Sequence, residues 1–165
     1  MKKTEIKKEK FFLIILILAF IDQVTKLFII LNKDKCPVTI IKDVLEIQYT
    51  ENKGIAFGIG NGATLIISIV TAMIMMTILY VINQKYEKLN SLSRIGASLL
   101  ISGGIGNLLD RIFRLHVVDF IYFKLIDFPI FNFADICIVI GVLIICFEIF
   151  LENRGENIEK NNCRK

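Results

Sequence analysis

Two aspartates, Asp119 and Asp135, have no basic residue one helical turn away in the sequence. The fifteen residues between them could fold back and bring their carboxyl groups together. Two close carboxyls cannot both ionise cheaply, so one keeps a proton near neutral pH while the other can deprotonate a water. Such an acid/base pair can hydrolyse an amide, and we therefore regard these two aspartates as the candidate catalytic pair.

Each aspartate also has a purely structural interpretation. Asn132 followed three residues later by Asp135 imitates a helix capping box, and an acid in a first helical turn suits the helix dipole. Asp119 could equally be a solvated loop acid. If the two do form a pair, the dipole favours the ionised form of Asp135, so we expect Asp119 to hold the shared proton more often.

A further set of polar residues interrupts stretches that are otherwise apolar. They are Asp22 and Lys26 in the first stretch, Asn107, Asp110 and Arg111 in the third, and Asn132 with Asp135 at the start of the fourth. Spacings of three or four residues place each set on one helix face. A charge in lipid costs a few kcal/mol, so we expect these sets to converge on one shared site. The alternative is that Lys26 only neutralises Asp22 and Arg111 only neutralises Asp110. Local neutralisation and a role in a shared site are compatible with each other.

The elements that position these residues follow from the hydropathy of the chain. The chain has 165 residues and a mean hydropathy of +0.63. Hydrophobic residues make up 55% of it, whereas the apolar share of a soluble domain is roughly 45–50%. Four apolar segments, at 11–31, 63–82, 95–113 and 130–151, are each long enough to cross a bilayer. We predict an α-helical membrane protein with four transmembrane helices, residues 1–165 forming a single polytopic domain.

The distribution of Lys and Arg predicts the orientation. Twelve of the twenty lie in the two tails and the linker between the second and third segments, while six lie in the other two loops. The positive-inside rule then places both termini in the cytoplasm and the loops 32–62 and 114–129 outside. Residues 19–21, Ala-Phe-Ile, are no small-x-small cleavage site, so we expect no cleaved signal peptide. A net charge of only +4, clustered between apolar segments, argues against nucleic-acid binding.

Two local patterns refine the prediction. Apolar and polar residues alternate over 45–50, and residues 38–41 could pair with them, which indicates a small β element in the first outer loop. In the third segment Ser98, Ser102 and Gly106 continue the row of Asp110 at four-residue steps, and Gly103 leads in the same way to Asn107 and Arg111. Such a small-residue stripe lets another helix approach closely, so the polar face should also be the packing face.

Five short motifs occur in order along nearly the whole chain. They are DQVTK (22–26), ENKGIAFG (51–58), GGIGNLLDR (103–111), VVDF (117–120) and FNFAD (131–135). With these motifs at these depths, the sequence resembles bacterial lipoprotein signal peptidase, also called signal peptidase II.

The resemblance implies an intramembrane aspartic endopeptidase with Asp119 and Asp135 as its catalytic dyad. Its substrate would be a diacylglyceryl-modified prolipoprotein, cut on the amino side of the lipidated cysteine, and it implies neither metal nor cofactor. The residues that match family positions shaping the site or contacting substrate are Asn52, Gly54, Asn107, Asp110, Arg111 and Asn132, and Asp22 and Lys26 match a supporting motif. We expect a monomeric multi-pass protein of the cytoplasmic membrane, in contact with lipid, with its active site toward the extracytoplasmic face.

Three rival classes fit less well. A proton-coupled transporter also has intramembrane acids, but here none forms a relay toward the cytoplasm. A presenilin-type or prepilin-type aspartic protease would be expected to show a GxGD motif, whereas Gly104-Ile105-Gly106 is followed by Asn107. A scaffold without catalytic activity would leave the polar convergence unexplained.

Overall fold

In the part of the chain that the structure describes, four helices are long and apolar enough to cross a membrane, and they make up most of the fold. The structure is a computed structural model that describes residues 6–54 and 64–162, with the backbone alone for 152, 153 and 155–162. The helices are α1 (Lys8–Leu31), α2 (Thr64–Lys85), α3 (Ser91–Arg114) and α4 (Phe133–Asn162), of which the apolar part of α4 ends at Leu151. The four predicted helices are confirmed. Ala63, the first residue of the second predicted segment, lies outside the described residues.

A three-stranded antiparallel sheet accompanies the helices. Its strands are β1 (Val38–Ile41), β2 (Leu45–Asn52) and β3 (Val117–Phe123), with β2 in the centre. The predicted hairpin of β1 and β2 is confirmed. The prediction that 114–129 is only a loop is wrong, because β3 pairs with β2 along most of its length.

The start of α4 also differs from the prediction. The apolar segment begins at Ile130, but the helix begins at Phe133. Phe131 instead exchanges backbone hydrogen bonds with Ile121 of β3, at 2.8 and 3.0 Å. Because its backbone groups are used by the sheet, the chain can enter the helix only after Asn132.

Helix α3 is the centre of the bundle and packs against the other three helices. It approaches α4 closely through glycines, as the small-residue stripe predicts: a Cβ atom added to Gly103 would lie 2.3 Å from the carbonyl oxygen of Ala134. Near the other end of the contact, a Cβ atom on Gly141 would lie 2.6 Å from the carbonyl oxygen of Gly96.

The buried side of α1 runs as one stripe past two apolar cores and a polar layer. Phe11 and Ile15 belong to a core with Tyr86 and Ile101, and Ile29 belongs to a second core with residues of β3. Asp22 and Lys26 lie between the two on the same stripe, and both are fully buried. The fold thus places a charged layer in the bundle, next to the end that carries the sheet.

Candidate active site

A cavity of about 470 Å³ opens beside the sheet, at the start of α4. Its polar lining comes from Asn52, Asn107, Arg111, Asp119 and Asp135, and its apolar lining from the segment 128–131 and the α4 residues Ile136, Ile138, Val139 and Ile140. Both candidate catalytic aspartates therefore line one cavity. The predicted convergence of polar residues from separate helices at one end of the bundle is observed.

Asp119 lies in β3, opposite Thr50 of β2, and only 3% of its surface is exposed. Its two oxygens accept hydrogen bonds from the side-chain amides of Asn132, at 2.6 Å, and Asn52, at 3.0 Å. Burial raises the pKa of Asp119 to about 6, and the nearby charge of Asp135 adds to that rise, while the two amide bonds oppose it. Asp119 is therefore not a solvated loop acid.

Asp135 is the third residue of α4 and forms the capping box that the sequence suggests. Its Oδ2 accepts from the backbone N–H of Asn132 at 3.1 Å, and the side chain of Asn132 accepts from the backbone N–H of Asp135 at 3.0 Å. Its Oδ1 accepts from the amide of Asn107 at 2.8 Å. Asn132 is thus hydrogen-bonded to both aspartates. Asp135 therefore caps the helix and lines the cavity at the same time.

Lys26 joins the polar sets of α1 and α3. Its buried ammonium lies 3.0 Å from Asp22 Oδ2 and 2.9 Å from Asp110 Oδ2, and it donates to Asn107 Oδ1 at 2.9 Å. Asn107 in turn donates to Asp135. One cation therefore connects both buried carboxylates to the amide that contacts the cavity.

The same two carboxylates hold the backbone next to each candidate catalytic residue. Asp110 Oδ2 accepts from the backbone N–H of Val118 at 3.1 Å, and Asp22 Oδ1 accepts from the backbone N–H of Ala134 at 3.0 Å. Val118 precedes Asp119 and Ala134 precedes Asp135. The separation of the two aspartates is therefore tied, through two backbone bonds, to the ion pairs of Lys26.

Within the described part of the chain, Arg111 forms no direct ion pair with Asp110, so any neutralisation of Asp110 by Arg111 acts at longer range. Its guanidinium donates to the backbone oxygens of Gly54, at 3.2 Å, and Asn107, at 3.3 Å, and it lines the cavity. Gly54 is buried and donates its N–H to Asn52 Oδ1 at 3.0 Å. The rest of that motif, residues 55–58, lies outside the described residues.

Two residues of this network were missed by the sequence analysis. Arg114 forms the ion pair with Asp110 and donates to Gln23 Oε1 at 2.9 Å. Gln23 Nε2 donates to Asp110 Oδ1 at 3.1 Å. A signal for Arg114 exists, since it follows Asp110 by four residues and so shares its helix face. Across the described part of the chain, no group of three or more His, Cys, Asp or Glu is placed to hold a metal ion.

Comparisons with known proteins agree along most of the chain. A family profile described as signal peptidase (SPase) II matches residues 14–151. The lipoprotein signal peptidase of Clostridium acetobutylicum is 38% identical over 146 residues, covering 86% of this chain and 94% of that protein. That of Clostridium novyi is 39% identical over 148 residues, covering 87% and 98%. A bacterial membrane enzyme solved by the in meso method at 2.3 Å superposes with a TM-score of 0.80 at 30% identity, covering 93% of this chain and 94% of that one.

Proposed function

Because this chain belongs to the signal peptidase II family, a family of aspartic peptidases, we propose that it removes the signal peptide from diacylglyceryl-modified prolipoproteins, cutting on the amino side of the lipidated cysteine. The observation that carries the proposal is the meeting of Asp119 and Asp135 in one cavity, with Asn132 bonded to both. These are the two aspartates that spacing and environment single out for acid/base chemistry.

The two aspartates take different roles because their surroundings differ. Asp119 is buried and its pKa is raised to about 6, so it is the better holder of a proton, which it donates to the carbonyl oxygen of the scissile amide. Asp135 lies in the first turn of α4, where the positive end of the helix dipole stabilises a negative charge, and we assign it the role of the base. Ionised Asp135 takes a proton from the attacking water, whose oxygen bonds to the carbonyl carbon.

The tetrahedral intermediate then breaks its carbon–nitrogen bond. Asp135 gives the proton that it took from the water to the leaving amine nitrogen of the lipidated cysteine, while Asp119 takes back a proton from a hydroxyl of the intermediate as the carbonyl re-forms. The signal peptide then leaves with a new carboxyl group, and both aspartates are as they were at the start. Arg111, Asn52 and the buried Gly54 line or border the cavity and are placed to hold peptide groups of the substrate. The apolar wall formed by Ile136, Val139 and Ile140 suits a substrate anchored by acyl chains.

We further propose that both termini are cytoplasmic and that the chain acts as a monomer in the cytoplasmic membrane. The Lys and Arg distribution supports this orientation. The sheet and the cavity lie at the opposite end of the bundle from the first residues of α1 and the last described residues of α4. A cavity at the extracytoplasmic surface would meet a prolipoprotein whose lipid anchor holds its cysteine at that level.

The test is cleavage of a purified, lipidated prolipoprotein by the purified protein in detergent, followed by the mass of the product. We expect Asp119→Asn and Asp135→Asn each to abolish cleavage, because each change is nearly isosteric but removes an acid/base group. Asp34→Asn, the same change at an exposed aspartate, is the matched control and should cleave at the wild-type rate.

Thermal unfolding of each variant shows whether it is folded. A folded Asp119→Asn or Asp135→Asn protein with wild-type activity would refute the assignment of the dyad. A wild-type protein that leaves the lipidated precursor uncut would refute the proposed reaction itself.

A further inference from the structure

The buried carboxylate of Asp110 has more partners than the proposed chemistry uses. It accepts hydrogen bonds from Lys26, from Gln23 at 3.1 Å and from the backbone N–H of Val118 at 3.1 Å, and it is also paired with Arg114. Val118 immediately precedes Asp119. The cations that neutralise Asp110 therefore affect the backbone that positions Asp119 at the cavity.

The charges of this network balance without Arg111. Asp22 and Asp110 supply two negative charges, and Lys26 and Arg114 supply two positive charges. Arg114 lies one turn after Asp110 on the same helix face, whereas Arg111, one residue after Asp110, lies about 100° round the helix and reaches Gly54. The charge of Arg111 is thereby left beside Asp119 and Asp135.

Gln23 holds Arg114 in this arrangement. Its Oε1 accepts from the Arg114 guanidinium at 2.9 Å, while its Nε2 donates to Asp110 and to the backbone oxygen of Gly106, each at 3.1 Å. The side-chain amide of Gln23 thus holds the guanidinium of Arg114 against the carboxylate of Asp110 and joins α1 to α3.

We propose that Arg114, held by Gln23, is a positioning residue for the reaction: it neutralises Asp110 so that Arg111 stays at the cavity beside the two aspartates. The inference rests on the proposed function for its catalytic meaning. Without Arg114, the two carboxylates would share Lys26 alone, and Arg111 is the neighbouring cation that Asp110 would then attract away from the cavity.

The charged groups around Asp119 make this testable. The charges that act on Asp119 are Lys26 of α1, Arg111 of α3 and Asp135 of α4, and Asp110 of α3 bonds the backbone N–H of the neighbouring Val118. Strand β2 contributes the uncharged Asn52, and its Glu51 lies 3.8 Å from His116. Withdrawal of Arg111 removes a positive charge that favours ionised Asp119. The titration midpoint of Asp119 should then move to higher pH.

The experiment is an infrared titration of the Asp119 carboxyl, taken as the difference from the Asp119→Asn protein, in the absence of substrate. We expect Arg114→Gln to raise the midpoint by at least half a pH unit and to lower kcat/KM about tenfold. Arg114→Lys keeps the charge and should restore both, and Arg154→Gln, at an exposed arginine of α4, should change neither.

A general loss of packing would lower activity without moving the midpoint, so an unshifted midpoint in folded Arg114→Gln overturns the inference. If Arg114→Gln does not fold, Gln23→Leu decides, because it leaves the arginine but removes what holds it; we expect a smaller shift in the same direction, and no shift overturns the inference. Because the titration needs no substrate, a wild-type protein that fails to cleave refutes the proposed reaction without touching this result.

Discussion

Replacing Lys26 by methionine should be among the most damaging single changes in the chain. Its side chain is wholly buried, and its ammonium lies within 3.0 Å of acceptors on Asp22, Asp110 and Asn107. Methionine fills a similar volume but leaves two buried carboxylates facing each other without their shared cation. Removing one partner of a buried ion pair costs about 3–5 kcal/mol, because the remaining charge is left uncompensated.

For a chain of this length, that loss corresponds to a fall in Tm of roughly 6–20 °C. It should be measured by thermal unfolding in detergent, with Lys10→Met as the control, since Lys10 is an exposed lysine of the same helix. An exposed substitution of this kind changes the free energy of unfolding by about 0.5 kcal/mol or less.

A triple variant separates charge imbalance from lost packing. Asp22→Asn, Lys26→Met and Asp110→Asn together remove both carboxylate charges with the cation, and the amide oxygens can still accept from Ala134 and Val118. We expect the triple variant to be more stable than Lys26→Met alone, although it carries two more substitutions. The reasoning is refuted if Lys26→Met unfolds within 2 °C of the wild type, about the shift of 1 kcal/mol, or if the triple variant is the less stable of the two.

Three further predictions follow from the same geometry. Gly106→Ala should lower Tm and activity, because its Cβ would lie 2.4 Å from Asp22 Oδ2; a Tm equal to or above that of the wild type would contradict this. Since the pKa of Asp119 is raised from its ordinary value near 3.8 to about 6, the native state keeps a proton that the unfolded chain has lost. The free energy of unfolding of the wild type should therefore fall, relative to that of Asp119→Asn, by about 2 kcal/mol as the pH rises from 4 to 6.5, and a difference independent of pH would speak against it. Cleavage should survive both EDTA and replacement of all four cysteines by serine, and loss of activity in either case would show that a metal or a thiol takes part.

Much of the site could be predicted because a polar residue is easy to recognise in the otherwise apolar sequence of a membrane helix. Asp22 and Lys26 stand out in an apolar segment, and their spacing correctly predicts a 3.0 Å ion pair. Asn132 and Asp135 likewise have the spacing of a capping box, and the structure contains that box. In each case the interaction is local, so the sequence separation alone determines which groups meet.

The contacts that the sequence did not predict depend on how separate elements are oriented relative to one another, which the spacing of residues along the chain does not determine. Strand β3 has no alternation of polar and apolar residues, because Val117, Val118, Asp119 and Phe120 are all buried. Only its richness in β-branched and aromatic residues hinted at a strand. Arg114, four residues after Asp110, shares its helix face and could have been found from the spacing. Arg111 lies about 100° round the helix from Asp110, and its contact with Gly54 becomes evident only once the neighbours of α3 are known.

Helix α2 differs from the other three in how little of it the fold encloses. Among its described residues only Met75 is buried. The sulfur of Met75 lies 2.3 Å from the position that a Cβ atom on Gly104 would take. Ile78, Leu79 and Ile82 pack against the core that α1 and α3 share. Most of the other apolar side chains of α2 are exposed and in a membrane would face hydrocarbon, which distinguishes poorly between Leu, Ile, Val and Phe. At those exposed positions, natural selection acts on the average hydropathy of the helix rather than on individual residues. Across species, α2 should accumulate apolar exchanges faster than the rest of the bundle, with the pair of Met75 and Gly104 changing together.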